Sequence, residues 1–392
     1  MPYSGRERPI LPNPDETSSR AQKMSLVLCD IVMVQPDGDT TGEAVLALAK
    51  EPRGSDMVSV TKWCQFGYEE AGEAGDFAKR PFAARFQTFS TKHDGAERLE
   101  SGEGHAGLHF WSPPGAVQEA VEVALDAGYQ HVDCAYFYQN EAEIGAAFQK
   151  KFGEGRLKRD ELYVVSKLWN SFHAPQDVKP AFLKSLMMLN LDYLDLYLMH
   201  SPMGFPVSGE LMPQKDGLLL QSDVDYVDTW RTMEKLVDEG LVKSVGVSNF
   251  NVSQLERLLS VCRIKPAANQ VELHPYLTQP QLVEYCKSKG IVLIAYSPFG
   301  CPALMWKNWE DPVPLLENPT VNEIAQKHGK TSAQVLIRFH IQRGIATIPK
   351  SITPARIVEN AEVYDFHLTH KEIQMLEGLN CNTRFIKWNL LG

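Results

Sequence analysis

The chain has 392 residues, 44% of them hydrophobic and 22% charged, with a formal net charge of −10. That is enough for one large α/β domain plus a sizeable extension. The acidic balance argues against nucleic acid as the main partner, while leaving room for a small anion held by a few local cations. The seven cysteines include no CxxC pair, which fits neither a disulfide framework nor a zinc site and points to a reducing, cytoplasmic setting with no metal centre. Residues 25–34, SLVLCDIVMV, are apolar but short and broken by Asp30, so neither a signal peptide nor a membrane partner is expected.

Residues 1–106 carry Pro, Gly and Glu clusters and no sustained period of 3.6 or 2. They are expected to form an irregular, poorly ordered extension with no assigned function. Residues 107–392 read as one domain. In 115–128, Val117, Ala120, Val121, Ala124 and Leu125 fall on one helical face and Gly128 can stop the helix. A strand at 131–135 follows, then a helix from Glu141 with Asn140 as its cap and Glu143 placed as in a capping box. Strand 162–168, helix 177–190 and strand 193–199 continue the alternation. After a loop at 201–222 come helix 225–239, strand 242–248, helix 251–260, strand 268–273, helix 279–289 and strand 291–297. A second loop leads to helices within 319–343, strand 345–349, and helices 354–363 and 370–379.

These strands are rich in Val, Ile, Leu and Tyr, as parallel strands buried on both faces should be. The α/β alternation predicts a (β/α)8 TIM barrel. Seven strands read well from residue 131 onward, and an eighth is expected at 107–111, GLHFW.

Asp133, Lys167, His200, Ser248, Asn249, Gln270, Tyr296 and Lys350 all lie at or just past a predicted strand end. That is the C-terminal face, where barrels gather their chemistry. Singly each has a plain structural explanation: His200 as a core histidine, Lys167 as a lysine with a packed stem, Ser248 and Asn249 as a helix cap, Asp133 and Tyr138 as turn residues. Asp133, Lys167 and His200 are 34 and 33 residues apart, close to one strand plus helix per step, so neighbouring strands would bring them together with Tyr138. Lys350 and Ser351 stand just ahead of Thr353-Pro354, where a helix N-terminus beside a lysine makes an anion site. No GxGxxG follows a strand, which leaves a Rossmann reading without support.

The segments DCAYFYQNE, VSKLW, YLMHSP, VGVSNF, NQVELHPY, IAYSPFG and IPKSITPARIVEN occur in that order. From about residue 107 to 384 the chain strongly resembles the aldo-keto reductases, and within them the aldose reductase-like group. DCAYFYQNE, MGF at 203–205 and DVDYVDTW at 223–230 lean toward the 1,5-anhydro-D-fructose reductase branch.

The resemblance implies NADPH-dependent reduction of an aldehyde or ketone by a monomeric enzyme. Tyr138 would be the general acid, Lys167 would favour its ionisation, Asp133 would pair with Lys167, and His200 would orient the carbonyl. It also implies that Ser248, Asn249 and Gln270 hydrogen-bond the nicotinamide amide and that Tyr296 stacks on its ring. Ser297 and Phe299 would line the pyrophosphate path, Lys350, Ser351 and Arg356 would hold the 2′-phosphate, and Glu359 and Asn360 would lie at the adenine.

Three stretches depart from the family pattern. Residues 80–107 do not match its first strand and preceding hairpin, and Ser201 stands where the family often has Trp, which would open an apolar wall of the pocket. The sequence given also ends soon after Arg384, so a shortened C-terminal loop is expected. These departures admit a second reading, an NADPH-binding but catalytically impaired member. A barrel lyase using Lys167 as a Schiff base is a third, opposed by the segment from Lys350 to Asn360.

Overall fold

The computed structural model describes residues 88–90, 112–216, 218–301 and 312–386. Among the described residues, eight strands form one parallel sheet. They are β1 (Thr88–Ser90), β2 (His131–Asp133), β3 (Tyr163–Leu168), β4 (Leu194–Met199), β7 (Val242–Ser248), β8 (Ala268–Glu272), β9 (Val292–Tyr296) and β10 (Ala346–Ile348), hydrogen-bonded in that order. β1 and β10 come into contact, bringing the sheet to near closure as a barrel. A two-stranded antiparallel hairpin, β5 (Gln214–Lys215) and β6 (Leu218–Leu219), rises from the loop after β4.

The strand expected at 107–111 lies outside the described residues. The first place in the sheet belongs to Thr88–Ser90, paired in parallel with His131–Asp133, and so inside the stretch read as extension.

Helices α1 (Ala116–Asp126), α2 (Glu141–Gly153), α3 (Pro175–Leu189), α4 (Tyr226–Asp238), α5 (Val252–Leu259), α6 (Pro280–Ser288), α7 (Pro319–His328), α8 (Ser332–Gln342), α9 (Pro354–Ala361) and α10 (His370–Glu377) follow the strands in the alternation the sequence predicts. Strand periodicity divides the core in two. Val165, Leu196, Leu198, Ala268, Ile294, Ala346 and Ile348 form one cluster, inside the barrel. Their neighbours Val164, Tyr197, Met199, Val271, Leu293 and Ala295 belong to the larger cluster that packs against the helices. Gly246 of β7 is required where it stands, since a Cβ there would lie 2.7 Å from Leu198 Cδ2 and 2.8 Å from the Ala268 carbonyl oxygen.

One local expectation is corrected. Asn140 occupies the N-cap position of α2, but its side chain makes no capping bond, and its buried amide has no hydrogen-bond partner among the described residues. Glu143, expected to reach back to Asn140, reaches instead to α1. It accepts from the backbone N–H groups of Gly115 at 3.0 Å, Val117 at 3.2 Å and Gln118 at 3.2 Å. The orphan donors of a neighbouring helix start, with their positive dipole end, out-compete the local box.

No helix among the described residues is long and apolar enough to cross a membrane. Nor does any group of three or more His, Cys, Asp or Glu side chains among them form a metal ligand set.

Candidate active site

β2 ends on Asp133, and the chain then closes a tight 3-10 turn over Tyr136–Tyr138, with Gln139 in the left-handed region at φ 55°. This turn folds Tyr138 back over the strand ends, and its ring is buried. β3 pairs with β2 in register and places Lys167 beside it. Lys167 Nζ pairs with the Asp133 carboxylate and donates to the Cys134 carbonyl at 3.0 Å and to the Tyr138 hydroxyl at 3.3 Å. The Asp133 and Lys167 side chains are 1% and 0% exposed, so this charge pair is fully desolvated and its geometry is what sustains it.

His200 follows β4, and its ring stands edge-on to the Tyr138 ring at 6.0 Å. Asn249, just past β7, is left-handed at φ 65°, a conformation asparagine tolerates. Its amide donates to the His200 carbonyl at 2.9 Å and to Ser248 Oγ at 3.2 Å. Tyr296, at the end of β9, donates to Asn249 Oδ1 at 2.8 Å. Ser248 Oγ donates to the Gln270 carbonyl at 2.8 Å, and Gln270 Nε2 donates to Asp133 Oδ2 at 2.9 Å.

Seven residues therefore make one connected ring at the barrel mouth, Tyr138, Lys167, Asp133, Gln270, Ser248, Asn249 and back through His200, with Tyr296 attached to Asn249. The structure brings together all four residues expected at the chemistry and all four expected at the nicotinamide. Gln270, expected as a nicotinamide contact, fixes the second oxygen of Asp133, a link no linear motif discloses.

A second group follows β9 and β10. Ser297 is left-handed at φ 51° and its carbonyl accepts from Gly300 N at 2.8 Å, with Phe299 half-buried inside that turn. Ser351 is buried and its Oγ accepts from Thr353 N at 3.0 Å, while Lys350 is half-buried and Arg356 exposed on the first turn of α9. Pro354 opens that helix, though Thr353 makes no side-chain cap. The Glu359 carboxylate accepts from Thr331 Oγ1 at 2.8 Å and Asn360 is buried. Two cations beside the uncapped N–H groups of a helix start are a donor set suited to a phosphate, and the half-exposed Tyr296 ring offers an aromatic face to a planar group, so the residues present fit a nicotinamide dinucleotide.

A buried aromatic cluster beside His200 went unread in the sequence. Trp169, directly after Lys167 and Leu168, is edge-on to His200 at 5.1 Å and stacks on Phe137 at 4.0 Å, with Phe205 and Leu219 packed behind. An aromatic residue immediately past a site-bearing strand was the available signal. Ser201 is buried, and its Oγ accepts from Met203 N at 3.2 Å.

A barrel with a buried charge pair and a phenol at its C-terminal mouth defines an enzyme of the (β/α)8 class. Residues 105–380 match the model of the Aldo/keto reductase family. "Aldo-keto reductase family 1 member A1" of Gallus gallus is 52% identical over 283 residues, covering 71% of this chain and 86% of the relative. The Homo sapiens protein of the same name is 46% identical over 283 residues, covering 71% and 87%. The solved structure of the aldose reductase from Schistosoma japonicum shares 46% identity with a TM-score of 0.67, covering 71% of this chain and 89% of that one. The chain belongs to the aldo/keto reductase family and is an oxidoreductase that acts on small carbonyl compounds with NAD(P)H.

Proposed function

We propose that the protein reduces an aldehyde or ketone to the alcohol with NADPH, Tyr138 acting as the general acid. The observation that carries this reading is the Lys167 ammonium within 3.3 Å of the Tyr138 hydroxyl and paired on its other side with Asp133. An ammonium beside a phenol favours the ionised form, which makes the phenol a better proton donor to a carbonyl oxygen that is gaining charge. Asp133 keeps Lys167 charged and aimed, and His200 hydrogen-bonds the carbonyl and sets its orientation. Ser248, Asn249 and Gln270 hold the nicotinamide amide, Tyr296 covers its ring, Ser297 and Phe299 flank the pyrophosphate, Lys350, Ser351 and Arg356 take the 2′-phosphate, and Glu359 and Asn360 take the adenine. When bound, NADPH supplies the hydride.

Two cations at the phosphate favour NADPH over NADH. Sugar-type carbonyls, 1,5-anhydro-D-fructose among them, are the substrates to try first, given DCAYFYQNE, MGF and DVDYVDTW here and the aldose reductase among the similar structures. We take the chemistry to reside in residues 107–392 of a cytoplasmic monomer, with residues 1–106 contributing the strand at Thr88–Ser90.

The test is incubation with NADPH and a nitrobenzaldehyde while the absorbance of the reduced nicotinamide is followed. Steady loss supports the reading. Tight NADPH binding without turnover across varied carbonyls would instead make this a catalytically impaired member of its family.

A further inference from the structure

Glu141 lies three residues past Tyr138, the first residue of α2, and is buried. Its two oxygens accept from two serines on different elements, Ser166 Oγ of β3 at 2.6 Å and Ser185 Oγ of α3 at 2.9 Å, both buried. Strand alternation turns Ser166 toward the helix layer and its neighbour Lys167 toward the mouth of the barrel. Glu141 therefore sits behind the wall that carries Lys167. α3 is held close: a Cβ on Gly145, one turn along α2, would lie 2.6 Å from the Met188 carbonyl oxygen.

We propose that Glu141 is a positioning residue for the reduction: its carboxylate locks the turn bearing Tyr138 to the strand bearing Lys167, and places a second negative charge behind the Lys167 ammonium. This deepens the reading of Tyr138 as proton donor and rests on it. The groups facing Glu141 are Lys167 from β3, Lys184 from α3, the Cys134 thiol beyond β2 next to Asp133, and the Tyr197 phenol of β4. Burial pushes the Glu141 carboxyl above its usual range, and the two serine hydroxyls and the two ammonium groups oppose that rise. A packed apolar side chain would fill the same space without desolvating a charge, so a carboxylate kept there fixes relative placement more than it adds stability.

The experiment is the pH profile of kcat for nitrobenzaldehyde reduction with NADPH, on the full chain. Glu141→Gln keeps the shape and removes the charge. With one negative charge fewer, the Tyr138 phenol ionises more readily, and the alkaline limb moves to lower pH, with KM for NADPH unchanged. Ser166→Ala and Ser185→Ala each delete one donor to the carboxylate, so the carboxyl gives up its charge more easily. They carry the same test should Glu141→Gln not fold, the limb moving the same way by less. An alkaline limb that stays in place in a folded variant, while Tyr138→Phe is inactive, overturns this proposal alone. Tyr138→Phe with full turnover overturns the reading beneath it.

Discussion

Lys167 and Asp133 form an ion pair in which neither side chain has meaningful exposure, and the Gln270 amide holds the other Asp133 oxygen at 2.9 Å. Removing one partner of such a pair leaves the other charge buried and uncompensated. Asp133→Asn is therefore expected to cost about 3–5 kcal/mol of stability, measured as a drop in the denaturant midpoint at constant slope, and to abolish most activity. A midpoint equal to that of the parent would mean that the ion pair makes no net contribution to stability.

Tyr138→Phe keeps the ring against His200 and deletes the hydroxyl that accepts from Lys167. Loss of a general acid typically costs on the order of 10²–10⁴ in rate. A fall in kcat of that size, with NADPH affinity by fluorescence titration unchanged, is the expected outcome. Parallel losses in kcat and cofactor affinity would assign Tyr138 to binding.

Most of this arrangement was legible because buried parallel strands read as apolar runs. VVSKLW, LDLYLM and IVLIAY could be placed without long-range information, and each strand's exit then named its own site residue. What escaped reading depended on contacts between distant segments. Thr88–Ser90 is too short a strand to show a pattern, and it exists only because the edge of β2 receives it. Glu141 looks like any acidic residue in a first helical turn, and Glu143 looks like a local cap. Their partners lie 25 or more residues away, on β3, α3 and α1. Trp169 was visible as a residue but not as part of a cluster beside His200, since its stacking partner Phe137 comes from another turn.

His131 and His173 are buried, and burial holds both at about 3, against an ordinary 6.5. Their folded-state values are depressed, so the unfolded chain takes up protons that the folded chain refuses. Their neutral forms cost nothing above about pH 6.5, and stability is lost progressively as pH falls from there toward 3. Each adds up to about 1.4 kcal/mol per pH unit inside that window. Urea titrations between pH 7 and 4.5 should show this slope, and His173→Leu should reduce it by close to one proton. An unchanged slope in that variant would mean that His173 is already protonated in the fold.

Arg356 is exposed on the first turn of α9, with Lys350 just before it. A charge-assisted contact to a phosphate is worth about 1.5–3 kcal/mol. Arg356→Ala should therefore weaken NADPH binding by about ten-fold or more and leave NADH nearly untouched, compared by titration of each cofactor. Equal weakening of both would place Arg356 away from the 2′-phosphate.

Glu272 ends β8 with a fully buried carboxylate that accepts from the backbone N–H groups of Phe385 at 2.7 Å and Ile386 at 3.0 Å, and lies 2.9 Å from His274 Nε2. One side chain thus fastens the segment after α10 to the barrel mouth, helped by the Tyr276 carbonyl, which accepts from Cys381 and Thr383. Glu272→Ala leaves the buried Phe385 amide without an acceptor, worth about 1–3 kcal/mol when orphaned, and removes the partner of the part-buried Ile386 amide and of His274 Nε2. The segment from 381 to 386 can relieve that cost by peeling away, whereas β8 cannot, because it is paired on both sides. Fast hydrogen exchange and protease cleavage confined to 381–386, with strand amides still protected, are the expected result. Uniform loss of protection across β8 and β9 would mean that Glu272 supports the barrel itself and not the segment laid over it.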